Sequence, residues 1–266
     1  MGIDLSEVAG IFQTHAHDDH FAGLPYLLQG GRKIKYLSSA LVRKSTFQKL
    51  SDLISLFESQ VQSRHIDLKA RAFKNEGKCF YTIGSSGHEG NAVFGKIFDI
   101  DDIAFLHYRS TPFFIERSKQ LPGSTHLYDL ALSFVASTDD PISGGRHKVI
   151  GSKELNIPPQ TSTIASHLPK AVGAAFSIDR AKDLNINQKR FKKNSLAICS
   201  FGDASVNHAT ALSALNTASL VKYNGGHVPI VFICEDNGLG ISVPTPTDWI
   251  LSLIHISEPT RQEAIS

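Results

Sequence analysis

The residues best suited to chemistry follow two apolar runs of the chain. Residues 196–201, Leu-Ala-Ile-Cys-Ser-Phe, precede Gly202 and Asp203, and residues 228–234, Val-Pro-Ile-Val-Phe-Ile-Cys, precede Asn237. Carboxylate and amide oxygens are hard ligands that suit Mg²⁺, and Mg²⁺ also binds phosphate oxygens. The two stretches therefore predict a site for Mg²⁺ and a phosphate-bearing ligand.

A strand–helix–strand unit must position these groups. The two apolar runs read as strands, and residues 207–222 between them have a helical pattern. The predicted buried face of that helix carries five apolar residues: Ala211, Leu212, Leu215, Ala218 and Leu220. Open α/β sheets bind ligands in the crevice at the carboxyl ends of their strands, so we expect both polar groups to meet there.

Further stretches along the chain resemble the E1 α component of 2-oxo acid dehydrogenases, which depend on thiamine diphosphate. The matching segments are Ile83-Gly-Ser-Ser-Gly-His-Glu-Gly-Asn91, His107-Tyr-Arg109, Asp140-Pro-Ile-Ser-Gly-Gly-Arg146, residues 160–173 and residues 233–243. Gly202-Asp203-Ala204 followed by Asn237 resembles the thiamine diphosphate motif, with Ala204 in place of a glycine. The resemblance covers roughly residues 56–250 and implies an α/β fold with a doubly wound parallel sheet.

The resemblance also implies a ligand set. Mg²⁺ would be bound by the side chains of Asp203 and Asn237 and by the carbonyl of Leu239. The implied cofactor-binding residues are Tyr108, Arg109, Ser162, Ile164, Gly202, Asp203, Ala204, Asn207 and Asn237. Among them, Tyr108 and Arg109 would reach phosphate oxygens, and Asn207 would touch the diphosphate from a helix N-terminus. Ser162 and Ile164 would line the aminopyrimidine. No residue is assigned as catalytic; His88, His147 and His167 are candidates for the active-site region without an assigned role.

The implied activity is oxidative decarboxylation of a 2-oxo acid, either pyruvate or a branched-chain acid. The implied partners are an E1 β component or β half and the lipoyl-bearing E2 of the complex. In this family the β part supplies the Glu that activates the aminopyrimidine, and a His-bearing loop follows the segment at 241–243. We expect that loop to lie beyond Ile250, and we expect this chain by itself not to turn over.

Each of these residues also has a structural interpretation when taken alone. Asp203 suits a helix N-cap, Asn237-Gly238 suits a turn, and Arg109 suits a surface ion pair. The order of the motifs along the chain favours the cofactor-binding interpretation.

The first fifty residues carry a different metal motif. Thr14-His-Ala-His-Asp-Asp-His20 resembles the metallo-β-lactamase signature, in which His15 and His17 would bind one Zn²⁺ and Asp19 and His20 another. Strands are expected at 8–13 and 33–37, and helices at 21–28 and 41–53. This segment is too short for that fold, so the motif is vestigial and the fragment incomplete. A zinc-dependent hydrolase is the alternative function, and a chimera without physiological function is the third.

These patterns predict three parts: a metallo-β-lactamase-like fragment (1–54), the E1 α-like domain (55–250) and a tail (251–266). The tail begins Leu251-Ser-Leu-Ile-His-Ile-Ser-Glu-Pro-Thr-Arg261, which reads as a translated sequencing-library adapter, so it is taken as non-native. The net charge is +2, from 27 basic and 25 acidic residues, which favours neither nucleic acid nor a membrane as partner. No signal-peptide pattern is present and three cysteines suggest no disulfides, so a cytoplasmic location is expected.

Overall fold

The fold is described from a computed structural model, which covers residues 10–12, 35–37, 40–184, 186 and 194–246. The chain divides into two compact units, Met1–Glu58 and Ser59–Ser266. In the first unit, β1 (Gly10–Phe12) and β2 (Lys35–Leu37) form a parallel pair. The strands predicted in this region are therefore confirmed.

Several sequence-based predictions fall outside the described residues. They include the four proposed zinc ligands, the helix expected at 21–28 and the tail at 251–266. The zinc ligands are His15, His17, Asp19 and His20. The metallo-β-lactamase and adapter interpretations accordingly stay predictions.

A single long helix, α1 (Ala40–Asn75), follows β2 in the chain. The sequence predicts a helix at 41–53 that ends before the proposed boundary at 54/55, but the described helix continues to Asn75. Its composition contains no glycine or proline to break it. The domain boundaries proposed from the sequence stay a prediction.

The second unit is built on a three-stranded parallel sheet. Its strands are β3 (Ile103–Phe105), β6 (Ala197–Gly202) and β7 (Ile230–Glu235), in the order β3–β6–β7. In register, Ile103 lies opposite Ala197, which lies opposite Ile230. The expected mixed α/β fold with a parallel sheet is confirmed. A separate antiparallel pair joins β4 (Ile150–Ser152) to β5 (Ile157–Gln160).

Helices cover both faces of the parallel sheet. The remaining described α-helices are α2 (Ala92–Ile97), α3 (Thr111–Ser118), α4 (His126–Phe134), α5 (Leu168–Asp183) and α6 (Ala209–Tyr223). Short 3₁₀ helices lie at Glu89–Asn91 and Asp203–Ser205. Successive strand residues enter different cores: Cys199 packs with α5 and α6, whereas Ile198 packs with α3 and α4. A strand covered on both faces is apolar along most of its length, and in β6 Ser200 is the one residue with a polar side chain.

Helix α6 buries a narrower face than the sequence predicted. Ala211 is fully buried, and Leu212, Leu215 and Ala218 pack against the core. Leu220, predicted to be buried, is instead 54% exposed. Nine residues separate it from Ala211, and at about 100° per residue this places it on the opposite side of the helix.

The cysteines and the described helices complete the description of the fold. All three cysteines are free thiols; Cys199 is buried, whereas Cys234 is only half-buried because its strand β7 is itself only partly covered. None of the described helices combines the length and the apolar character needed to cross a membrane.

Candidate functional site

The three parallel strands deliver their following residues to one cavity of about 300 Å³. Its wall includes residues that follow β3, β6 and β7, together with the segment before α5. The cavity thus lies at the carboxyl edge of the sheet, where the sequence predicted that the polar groups would meet. Its described lining is Ser86, His88, His107, Tyr108, Arg109, Ile164, Ala165, His167, Gly202, Asp203, Ala204, Ser205, Glu235, Asn237, Leu239, Gly240 and Ile241.

Most of the residues singled out from the sequence lie on this wall. They are Tyr108, Arg109, Ile164, Gly202, Asp203, Ala204, Asn237 and Leu239. Ser162 and Asn207 are not part of the described lining. Asn207 stands two residues before the first residue of α6, because the 3₁₀ turn Asp203–Ser205 intervenes and His208 becomes the N-cap of the helix. The roles assigned to Ser162 and Asn207 stay predictions.

Asp203 is a buried carboxylate on the cavity wall and does not cap a helix. The N-cap of the 3₁₀ turn is Gly202, and the ring Nδ1 of His208 caps α6 by accepting from the Thr210 amide at 3.2 Å. Asp203 is 2% exposed, and its Oδ2 accepts a hydrogen bond from the Thr245 hydroxyl. The helix-cap interpretation therefore does not hold, and the carboxylate is left available to the cavity.

The substitution of alanine in the motif is accommodated by the backbone. Ala204 lies inside the 3₁₀ turn and is not among the residues with positive φ. Because only positive φ demands glycine at such a turn, Ala204 fits without strain. Ala165 is different: it has φ 56° and is buried on the cavity wall. A left-handed alanine is uncommon, and such residues cluster at functional sites.

Asn237 lies in a turn and still faces the cavity. Its Oδ1 accepts the Leu239 amide at 3.0 Å, and Gly238 has φ 70°, so the turn interpretation is also correct. An amide oxygen has two lone pairs, so this turn leaves one for a ligand. The Gly238 carbonyl oxygen accepts a hydrogen bond from the Thr245 amide at 2.9 Å. This bond holds Thr245 where its hydroxyl donates to the Asp203 carboxylate. The loops after β6 and β7 are thus tied to each other.

Arg109 is held by the segment at 83–91 that the sequence also marked. Its Nη1 donates to the Gly84 carbonyl at 2.6 Å, and its guanidinium lies 5.2 Å from the centre of the Tyr108 ring. Among the described wall residues, Arg109 is the only lysine or arginine. An anionic ligand in this cavity would therefore need a bound cation as well.

A buried Glu235 cluster is the feature that the sequence did not predict. The Glu235 side chain is 7% exposed and contacts the Nδ1 atom of His88; its Oε2 lies 3.5 Å from Nδ1 of His107. The Ser110 hydroxyl donates to Oε1 at 3.0 Å. Burial by itself would raise the pKa of Glu235, but hydrogen bonds with His107 and His88 outweigh it and hold that pKa below its ordinary value.

The same cluster has the geometry of a cation site. The ligand atoms of His88, His107 and Glu235 lie within 4.8 Å of one another. Burial lowers the pKa of His107, which keeps its imidazole neutral and able to ligate. The sequence signal for Glu235 was the position of a charged residue at the end of an apolar strand, which is the same signal that identified Asn237.

The three histidine candidates are divided by the fold. His88 and His167 line the cavity. His147 does not: its Nε2 lies 3.1 Å from the Sγ of Cys79, and its ring packs against Tyr81. Burial lowers the pKa of His147, with the neighbouring Lys148 acting in the same direction.

The fold and the cavity define an α/β protein with a ligand site at the carboxyl edge of a parallel sheet. The sequence pattern of the family described as Dehydrogenase E1 component matches residues 58–249. The chain therefore belongs to the dehydrogenase E1 component family, and the resemblance seen in its motifs is confirmed.

The curated relatives of this chain include α subunits of one enzyme. The 2-oxoisovalerate dehydrogenase subunit alpha of Bacillus subtilis (strain 168) is 27% identical, over 73% of this chain and 53% of that protein. The mitochondrial subunit alpha of Caenorhabditis elegans is 25% identical, over 74% of this chain and 41% of that protein. The mitochondrial 2-oxoisovalerate dehydrogenase subunit alpha 2 of Arabidopsis thaliana is 28% identical, over 77% of this chain and 40% of that protein. The chain spans about half the length of these relatives, or less.

Proposed function

We propose that this chain is the E1 α part of a 2-oxo acid dehydrogenase and binds thiamine diphosphate with Mg²⁺. The observation that carries the proposal is the convergence of Asp203, Asn237 and Leu239 on one cavity together with Arg109. A carboxylate, an amide oxygen and a backbone carbonyl match the oxygen ligands of Mg²⁺. Family membership and the named relatives support the same conclusion.

The charges on the wall favour cofactor binding through the metal. Asp203 and Glu235 bring two carboxylates to a wall on which Arg109 is the described side chain with a permanent positive charge. A diphosphate would be repelled from such a wall unless a divalent cation stood between it and Asp203. Asp203, Asn237 and the Leu239 carbonyl would hold Mg²⁺, and Tyr108 and Arg109 would hold phosphate oxygens. Ser162, Ile164 and Asn207 complete the proposed set of contacts.

The reaction we propose is oxidative decarboxylation of a branched-chain 2-oxo acid. When bound, thiamine diphosphate supplies the electron sink for loss of CO₂. The residues of this chain bind and orient the cofactor: the metal ligands fix one end, and the buried segment with Ala165 and His167 forms the wall beside it. The relatives named for 2-oxoisovalerate favour a branched-chain substrate over pyruvate.

The partners we propose are an E1 β component, which would supply the Glu that activates the aminopyrimidine, and a lipoyl-bearing E2. The chain alone is then expected to bind the cofactor without turnover. A dye-reduction assay with 2-oxoisovalerate, thiamine diphosphate and Mg²⁺ tests this expectation. Steady dye reduction by the chain alone would contradict it.

Binding of the cofactor is the direct test of the proposal. Isothermal titration calorimetry on the full chain should show thiamine diphosphate binding with Mg²⁺ and none after chelation. Asp203→Asn should weaken binding at least about tenfold, since loss of one charged ligand is worth at least about 1.5 kcal/mol. Asp236→Asn is the matched control, because Asp236 is exposed and lies off the wall. Equal affinities of the two variants would refute the proposed metal site.

A further inference from the structure

His167 presents a buried ring nitrogen with no hydrogen-bond partner in the described part of the chain. The residue stands immediately before α5, lines the cavity and is 2% exposed. Its Nε2 lies 2.7 Å from the carbonyl oxygen of Ser200. A carbonyl oxygen can only accept, so Nε2 carries the proton.

The protonation state of the other ring nitrogen follows from this. Burial lowers the pKa of His167 to about 4, although the bond to Ser200 acts in the opposite direction. The imidazole is therefore neutral near pH 7, and Nδ1 holds a lone pair. Nδ1 is buried and has no partner among the residues that the structure describes. A buried acceptor without a donor is rare and unfavourable, so this atom calls for a donor from a ligand.

The chemistry of the proposed ligands limits which group can be that donor. The phosphate oxygens and pyrimidine ring nitrogens of the cofactor accept hydrogen bonds, and a 2-oxo acid in its carboxylate form has only acceptors. The exocyclic amino group on the pyrimidine is the N–H donor of thiamine diphosphate. We propose that Nδ1 of His167 accepts a hydrogen bond from this amino group, an inference that rests on the proposed function. The bond would make the chain prefer thiamine diphosphate to a ligand that lacks the amino group.

The neighbouring residues support a fixed acceptor at this position. Ala165, two residues earlier, is held in a left-handed conformation on the same wall. The Nδ1 of His107 lies 3.5 Å from Oε2 of Glu235, whose carboxylate favours a proton on that nitrogen. The Nδ1 atom of His167 is thus a hydrogen-bond acceptor, whereas the Nδ1 atom of His107 is a donor toward Glu235.

The test compares two ligands on two proteins. Calorimetry with Mg²⁺ would measure the Kd of thiamine diphosphate and of its deamino analogue, in which hydrogen replaces the amino group. The wild-type chain should prefer the amino form, and His167→Leu should reduce that preference about three- to tenfold, as expected for one hydrogen bond. His126→Leu is the matched control, because His126 is another buried histidine with a ring nitrogen that has no partner among the described residues, and it lies off this wall. The preference of His126→Leu for the amino form should equal that of the wild-type chain.

The outcomes separate this inference from the proposed function. If the wild-type chain binds neither ligand, the proposed function fails and the inference fails with it. If it binds both ligands equally, or if His167→Leu keeps the full preference, the inference alone is overturned. Should His167→Leu not fold, ¹⁵N NMR of the wild-type imidazoles decides: the Nδ1 signal should move with thiamine diphosphate and not with the deamino analogue. Equal shifts with both ligands would overturn the inference.

Discussion

Acidification should destabilise this protein through His167. The pKa of His167 is lowered from 6.5 to about 4 in the folded chain because the ring is buried on the cavity wall. In the unfolded chain the imidazole takes up a proton as the pH falls through 6.5, whereas in the folded chain it does so only near pH 4. The unfolded state therefore binds more protons between these values, and the stabilising contribution present above pH 6.5 is lost as the pH falls through this window.

The size of the effect follows from the two pKa values. The full window corresponds to about 3 kcal/mol, and the part between about pH 7 and about pH 5 to about 2 kcal/mol. Burial also lowers the pKa of His107, His126 and His147, so these add losses of the same sign. The contribution of His167 to the loss of stability is isolated by comparison with a variant that lacks this imidazole.

His167→Gln provides that comparison, because an amide can still donate to Ser200 but does not titrate. Urea unfolding at both pH values would give the free energy of unfolding of each protein. Between about pH 7 and about pH 5, the free energy of unfolding of the wild-type chain should fall by about 2 kcal/mol more than that of His167→Gln. Equal losses within about 0.5 kcal/mol would refute the reasoning that His167 is buried and neutral.

Two further predictions concern the core that supports the site. Arg117 is fully buried and donates to the carbonyls of Asp99 and Asp102 at 2.6 and 2.9 Å, so Arg117→Met should cost about 3–5 kcal/mol in thermal or urea unfolding by leaving buried acceptors unpaired. Arg180 is exposed, so Arg180→Met should cost under about 0.5 kcal/mol. Similar losses of stability in the two variants would contradict the role of Arg117 as a buried donor. A Cβ at Gly95 would meet the Phe113 carbonyl at 2.5 Å, so Gly95→Ala should destabilise by about 1–3 kcal/mol and lower Tm. Gly173→Ala, in a helix with open space around its Cβ, should be neutral or slightly stabilising; equal effects would argue against close packing of α2 on α3.

The sequence by itself determined the strand–helix–strand unit and the family. Apolar runs bounded by polar residues indicate β6 and β7, because the strands of a parallel sheet are apolar along most of their length. The carboxyl ends of parallel strands share one edge, so Asp203 and Asn237 could be brought together by reasoning alone.

Only the tertiary structure decided how the cavity is completed. Glu235 and His88 are 147 residues apart in sequence, and no local pattern indicates that they touch. The placement of Asn207 outside α6 depends on the 3₁₀ turn that intervenes before the helix begins. The unpartnered nitrogen of His167 depends on a contact with Ser200 across the core. Burial and tautomer are set by long-range packing, so the sequence can name the residues but cannot assign their protons.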